Sequence, residues 1–266
     1  MSGRPGAAGD PWAALRALTP ARIALGRAGG SLPTAALLAF EADHAAARDA
    51  VWSELDLDRL EADLAGLAAP RLRLTTQAAD RQAYLQRPDL GRRLDPESEA
   101  RLAAAAPAGG CDVAIAIGDG LSATAAQRHA PSLLLALAPR LAARGLSLGP
   151  VALVRHARVA VEDRIGAALG ARLALILLGE RPGLGAPDSL GAYLVHRPRP
   201  GATDADRNCV SNVRPEGLPI AAAAELLDWL VAEALRRALS GVALKDERPL
   251  QAKSWLPLPP RGRGMG

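Results

Sequence analysis

The sequence predicts an α/β protein in which an N-terminal helical domain precedes a mostly parallel α/β domain. Three observations predict it. Between residues 11 and 70, apolar residues recur at helical spacing and no strand-like run appears. Beyond residue 111 the period changes, and short apolar runs such as DVAIAIGDG and RLALILLG alternate with helical stretches. Strands joined through helices call for right-handed crossovers that cover both faces of a parallel sheet. The second half is therefore Rossmann-like in outline.

Residues 1–10, MSGRPGAAGD, are rich in Gly, Pro and Ala and read as disordered. Residues 11–70 form the helical domain. Asp10 followed by Pro11 opens a first helix that runs to the glycines before residue 31. Thr34 caps a second, which carries Leu37, Leu38, Glu41 and His44 at helical spacing. A third places Leu57, Leu60, Leu64 and Leu67 on one stripe. Residues 71–111 read as a connector with a turn at Arg87-Pro88 and a short helix capped near Asp95, although AYLQRPDLGRRL is too specific for a mere linker.

Residues 112–244 make up the Rossmann-like domain. DVAIAIGDG reads as a strand, LSATAAQRHAPSLLLALAPRLAARG as a helix and GPVALVRHARVAVE as a strand or strand pair. EDRIGAALGA is a helix, RLALILLG and LGAYLVHRP are strands, and LPIAAAAELLDWLVAEALRRALSG is a long final helix. DADRNCVSN, residues 204–212, reads as a polar loop. The tail of residues 245–266 has four prolines and little periodicity, which predicts extended chain, with Trp255 as a possible anchor.

Composition narrows the function. The chain has 266 residues with 49% hydrophobic but only 3% aromatic residues, so its core is built from Ala, Leu, Val and Ile. The net charge of +4 comes from 32 basic and 28 acidic residues with interspersed signs, and rings for base stacking are scarce. No nucleic-acid partner is expected. The two lysines, Lys245 and Lys253, lie near the C-terminus, which excludes Schiff-base chemistry on the main body. Cys111 and Cys209 form no CxxC motif and no signal peptide is evident, so a reduced, cytoplasmic protein is expected. The apolar runs fall well short of the roughly 20 residues of a membrane span. No membrane association is expected.

Candidate chemistry gathers beyond the carboxyl ends of the strands, where ligands bind in open parallel sheets. In IAIGDGLSATA, Gly118, Gly120 and Ala123 match a dinucleotide fingerprint between strand and helix. The next strand finishes VALVRH without the acidic residue such sites use, so a tight turn capped by Asp119 and Ser122 explains the pattern as well. This leaves a nicotinamide-dependent oxidoreductase using the GDGLSA turn as the alternative function.

The loop GERPGLGAPD precedes a strand rather than a helix, so it aims no helix N-terminus at a phosphate. Glu180 in it is either an acceptor for amide donors or the partner of Arg181 or Arg214. Cys209 has no histidine near it in sequence, and the histidines at 44, 129, 156 and 196 match no metal-ligand spacing. No catalytic residue and no metal ligand is assigned. The pattern is that of a binder rather than a complete enzyme.

Five stretches, in this order, carry a resemblance: ARIALGRAG, AYLQRPDLGRRL, AIGDGLSA, ARVAVEDRIGAALGARLALILLGERPGLGAPDSLGAYLV and ADRNCVSNVRPEGLP. Together they resemble the small (light) subunit of ethanolamine ammonia-lyase, over roughly residues 15–242. The resemblance implies an adenosylcobalamin-dependent lyase complex that deaminates ethanolamine to acetaldehyde and ammonia, and in which this subunit alone is inactive. It further implies a large TIM-barrel subunit as partner, with ethanolamine bound in that barrel and cobalamin held between the subunits.

The family's cobalamin contacts fall on Val159 of R-V-x-x-E-D, Glu180 of GERPGLG and Cys209 of ADR-x-C. These imply residues 112–244 as a cobalamin-binding domain. Val159 would offer backbone groups and an apolar wall, Glu180 an acceptor for the corrin amides, and Cys209 a close backbone approach. No D-x-H-x-x-G occurs, so the cofactor is expected to bind base-on, with its own dimethylbenzimidazole on cobalt. Packaging in a bacterial microcompartment is left open, because the longer N-terminal extension associated with it in some relatives is lacking.

Overall fold

The computed structural model describes residues 29–249, together with residues 15, 18, 19 and 21–27. Among the described residues, seven α-helices and six strands follow one another as α1 (Thr34–Trp52), α2 (Leu57–Asp63), β1 (Arg71–Thr75), α3 (Arg81–Gln86), α4 (Pro96–Ala104), β2 (Cys111–Gly118), α5 (Ala123–Ala143), β3 (Val151–Arg155), α6 (Val161–Ala168), β4 (Ala171–Gly179), β5 (Leu190–His196), β6 (Arg207–Val213) and α7 (Ile220–Arg237). The sheet order is β1-β3-β2-β4-β5-β6. The first four strands are parallel, whereas β5 and β6 pair antiparallel. The α/β class and the mostly parallel sheet are as expected, with a helical N-terminal region ahead of the sheet.

The central strands alternate with period two and are buried on both faces. Val113, Ile115 and Ile117 of β2, with Leu173, Leu175 and Leu177 of β4, join a core with α2, α5 and α7. Their neighbours Ala114, Ala116, Ile176 and Leu178 join a second core with α4 and α6 on the other face. Such near-continuous apolar strands are what a sheet covered on both sides requires. The stripe Leu57, Leu60, Leu64 and Leu67 is buried in the first of these cores, so α2 packs onto the sheet's helical layer.

Two expectations are corrected and two are made specific. The segment 71–111, read as a connector, supplies the edge strand β1, paired in register with β3 from Arg71–Val151 to Thr75–Arg155, and the helices α3 and α4. DADRNCVSN, read as a polar loop, supplies most of β6, whose buried positions Arg207, Val210 and Val213 are spaced by three because a register irregularity opposite Leu190 and Ala192 interrupts the period of two. GPVALVRHARVAVE contains one strand, followed by a loop of residues 156–160. β5 is antiparallel because the connection 180–189 holds no helix with which to build a crossover.

The helix expected from Pro11 lies mainly outside the described residues, and residues 21–27 are irregular. A proline at position 20 disfavours helix at the residue before it, and Ala24 and Gly26 adopt positive φ. α1 starts at Thr34 as expected, but Pro33 is the N-cap and no side chain caps it. Residues 1–10 and Trp255 lie outside the described residues. Among the described residues, no helix is long and apolar enough to cross a membrane.

Candidate functional site

From β2 the chain passes to β3 on one side, and from β3 to β4 on the other side of β2. The carboxyl ends of β2 and β4 therefore flank a topological switch point, the place where open α/β sheets bind ligands. A cavity of about 430 Å3 lies there, lined among others by Gly120, Arg158, Val159, Glu180 and Tyr193. A second, of about 450 Å3, continues past Arg158 and Val159 to Arg92, Thr203, Asp204 and Arg207. The two share the loop 156–160, so Val159 stands on the ridge of one long crevice.

The floor is built from the glycines of the fingerprint. A Cβ at Gly120 would overlap the Gly179 carbonyl, and one at Gly179 would overlap the Ser122 carbonyl. Gly120 also sits at φ +55°, where a side chain is strained. These glycines let the end of β4 lie against the 119–122 turn, and the Leu121 N–H donates to Gly179 O at 2.9 Å. Ser122 caps α5 on Ala125 N–H at 3.2 Å and donates to Pro187 O at 2.8 Å. The loop 180–189 is thus tied down at the start of α5, where Ser122, Ala123, Ala125 and Ala126 are buried. A dinucleotide pyrophosphate needs that helix end open, so the geometry disfavours the nicotinamide alternative.

Asp119 is buried under the same floor. It accepts from the His156 and Ala157 N–H groups at 2.9 and 2.8 Å and pairs with Arg81 at 3.2 Å. Burial raises its carboxyl pKa, against the Arg81 charge and these two amides. The acid of GDG therefore organises the loop 156–160 from below rather than facing a ligand. The stretch AYLQRPDLGRRL grips that loop from the side. The Tyr84 hydroxyl donates to Ala157 O at 3.1 Å, Arg158 N–H donates to Gly91 O at 2.8 Å, and the Arg158 guanidinium stacks 4.2 Å from the Tyr84 ring centre. A Cβ at Gly91 would come within 2.9 Å of His156 O. This close approach is why the stretch is too specific for a linker.

The charged residues of R-V-x-x-E-D and ADR-x-C find each other. Arg207, at the start of β6, donates to Asp163 through two bonds of 2.8 Å and to Glu162 at 3.1 Å, all three side chains being buried. Glu162 and Asp163 occupy the first turn of α6, where carboxylates are favoured by the helix dipole. Burial holds the Glu162 carboxyl well above the usual carboxylate range, helped by Asp163 and opposed by Arg207. This clamp fixes Val159, just ahead of α6, relative to Cys209, two residues past Arg207. It was missed in the sequence because acid and base lie about forty positions apart.

Glu180 forms no ion pair with Arg181 or Arg214. Its Oε2 accepts from the Ser189 hydroxyl and from Asn212 N–H at 3.1 Å, whereas Arg214 donates to Asn212 Oδ1 at 2.9 Å. Oε1 accepts no bond from a described residue and points along the crevice wall beside Tyr193 and Gly191. Cys209 is the direct cross-strand neighbour of Tyr193, so the two side chains share a sheet face. Desolvation, with the Glu180 carboxylate nearby, pushes its thiol up to about 11. A thiol so shifted is neutral near pH 7 and is no nucleophile.

Val159, Glu180 and Tyr193 therefore line one crevice, with Cys209 beside its far wall. Among the described residues, no group of three or more His, Cys, Asp and Glu side chains is placed to hold a metal ion. A corrinoid fits the donors that are present: Glu180 Oε1 is a free acceptor for amides, and the buried Arg158 Nε has no partner within the chain. The loop glycines Gly183 and Gly185 face open space. The arrangement can bind and orient a large ligand.

Fold and site together define an open-sheet α/β protein with a ligand crevice at its switch point. Comparison with known proteins makes this specific. The family model of the ethanolamine ammonia-lyase light chain (EutC) matches residues 9–245. The ethanolamine ammonia-lyase small subunit of Azotobacter vinelandii is 58% identical over 93% of this chain and 92% of its own length. Those of Ralstonia nicotianae and Rhodopseudomonas palustris are 56% and 52% identical, over 89% and 90% of this chain and 88% and 91% of theirs. The chain belongs to the ethanolamine ammonia-lyase light chain family.

Proposed function

We propose that the chain is the small subunit of an adenosylcobalamin-dependent ethanolamine ammonia-lyase, in which it binds and orients the corrin at the interface with a large TIM-barrel subunit. The whole complex deaminates ethanolamine to acetaldehyde and ammonia, with ethanolamine held in the large subunit's barrel. One observation carries this reading: Val159 and Glu180 line a single switch-point crevice, and Glu180 keeps there a carboxylate oxygen that no described residue uses. When bound, base-on adenosylcobalamin supplies the radical chemistry. This chain's own residues accept from the corrin amides at Glu180 Oε1, wall the ring with Val159, and keep water from its edge with Tyr193. Cys209 contributes bulk and a neutral thiol beside that edge.

The purified chain mixed with adenosylcobalamin and ethanolamine is expected to release no acetaldehyde until the large subunit is added. Turnover by the chain alone would overturn the assignment. In the reconstituted complex, Glu180→Ala is expected to raise the cobalamin Kd by the equivalent of about 1.5 to 3 kcal/mol, the worth of a hydrogen bond to a charged group. Because Oε2 also pins Ser189 and Asn212, Glu180→Gln serves as the shape-matched control. An unchanged Kd in both variants would make Glu180 a loop-holding residue only.

The glycines of GERPGLG give a separate test. A Cβ at Gly183 comes no closer than 4.0 Å to the Ala186 carbonyl, and one at Gly185 meets nothing. Gly183→Ala and Gly185→Ala are therefore expected to change stability by less than about 0.5 kcal/mol, measured by thermal unfolding. If the corrin lies over this loop, the same variants weaken its binding at constant stability. Unaltered affinity in both would show that the ring does not use that space.

A further inference from the structure

We propose that α1 is the arm by which the chain docks on the large subunit, its apolar outer face seated in an apolar groove edged by basic side chains. The inference rests on the function proposed above and adds the surface that would join the two subunits. α1 has little within the chain to pack against. Of its 19 residues only Ala47 and Ala50, in the last two turns, are buried. Between Thr34 and Ala46 none is. A helix in a folded protein draws most of its stability from the burial of one face, and the first three turns of α1 bury none.

The uncovered face is apolar. Among the described residues nine large apolar side chains are exposed, and five of them, Leu32, Leu37, Leu38, Phe40 and Trp52, lie on α1 or just ahead of it. Leu38 is 58% exposed and Trp52 54%. Phe40 is the single phenylalanine of a chain poor in rings. Arg22 pairs with Asp43 and lies over the Phe40 ring, which covers part of the inner side. Leu38, Ala42 and Trp52 fall on the opposite side from Ala47 and Ala50 at helical spacing. Apolar and aromatic side chains concentrated on one exposed element mark a protein interface.

The place of α1 selects the partner. Its end is fixed to the rim of the crevice: the Arg81 guanidinium donates to Val51 O at 2.7 Å and to Gly120 O at 2.8 Å, and pairs with Asp119. The Ser53 and Thr124 hydroxyls meet at 3.3 Å beside the first turn of α5. Gly120 and Leu121 line the cavity at the switch point. A subunit that covers the crevice over a cofactor therefore has α1 beside it.

Charge argues against a second copy of this chain as the occupant. Glu41 and Asp49 stand about one and three turns on from Leu38, on its side of the helix, and both are exposed. Among the described residues the Glu41 carboxylate has no partner, and that of Asp49 has the exposed Arg48 at 3.8 Å. Two such faces brought together would oppose carboxylates to carboxylates, whereas a basic rim matches them.

The full chain and the large subunit are purified separately and their association is measured by surface plasmon resonance. Leu38→Lys is expected to weaken it at least about thirtyfold and Trp52→Ala about tenfold or more, as loss of interface anchors does. Glu41→Lys is expected to weaken it more at low salt than at high salt, the mark of a lost contact with a basic rim. Val242→Glu, at an exposed apolar residue in the turn after α7, is expected to leave it unchanged. All four side chains are exposed, so the variants should melt like wild type. Equal affinity of wild type, Leu38→Lys and Trp52→Ala overturns the proposal. A chain that sediments alone as a dimer, and that Trp52→Ala returns to a monomer, overturns it in favour of a second copy on α1. Both outcomes leave the function proposed above standing. Failure of the wild-type chain to bind the large subunit at all overturns that function, and the docking surface with it.

Discussion

Arg207→Met is expected to lower the stability of the chain by about 3 to 5 kcal/mol, the usual consequence of leaving buried carboxylates without their counter-ion. Removing the guanidinium strands the Asp163 carboxylate, which with Glu162 beside it is only 2% and 1% exposed at the side chains. The melting temperature should fall by on the order of 10 °C. Asp163→Asn is expected to be damaging too, because it removes the bidentate partner and leaves Arg207 in excess. Glu162→Gln should be close to neutral. The reason is the pKa of Glu162, which burial raises well above the glutamate value.

A carboxyl whose folded pKa exceeds its unfolded value stabilises the fold fully below the unfolded pKa, and that contribution is lost as the pH rises through the folded value. Wild type should therefore lose stability from about pH 4 upward to the raised pKa through this residue. Glu162→Gln, fixed in the neutral form, should show a shallower decline. Asp119, also raised by burial, keeps part of the slope in both proteins. Equilibrium denaturation at several pH values decides the matter. Equal pH profiles for wild type and Glu162→Gln would mean that Glu162 is ionised in the clamp and shares the Arg207 charge.

Much of this architecture was legible in the sequence, because its strongest signals are periodic. The apolar runs of β2 and β4, the stripe of α2 and the long helix α7 all express burial through spacing, which needs no knowledge of distant partners. β1 and β6 were not legible for the same reason. RLRLT carries charged residues because it is an edge strand, and RNCVSN, the edge strand on the other side of the sheet, has few apolar residues for the same reason. Half-exposed strands resemble loops when composition alone is read. The contents of the site divide similarly. Glu180 stood out by its place at a strand end, whereas the Arg207 clamp and the unmatched Arg158 depend on which side chains meet in space. His156 and Cys111, residue types that attract attention as reactive, serve the scaffold: His156 holds Ala78 O at 2.9 Å, and Cys111 is packed in the core of the α4 and α6 face.

Gly179→Ala is expected to abolish the folded chain or to destabilise it beyond the roughly 1 to 3 kcal/mol of ordinary overpacking. Its added methyl would overlap the Ser122 carbonyl and lie within 2.6 Å of Ser122 C and 2.7 Å of Asp119 O, all of them backbone atoms. A side chain can rotate away from such a contact; a turn cannot. Moving it would drag Asp119 from the His156 and Ala157 amides and pull the Ser122 cap from α5, so the floor, the Val159 loop and the helix start would fail together. Gly120→Ala should behave alike, since it adds positive-φ strain to a clash with the Gly179 carbonyl. The contrast with Gly183→Ala and Gly185→Ala, a few residues along the same loop, gives the comparison its force: two glycines close the floor and two leave space above it. Circular dichroism and thermal unfolding of the four variants measure this directly. A Gly179→Ala protein that melts like wild type would show that β4 and the 119–122 turn can separate, and that the crevice floor is not set by their contact.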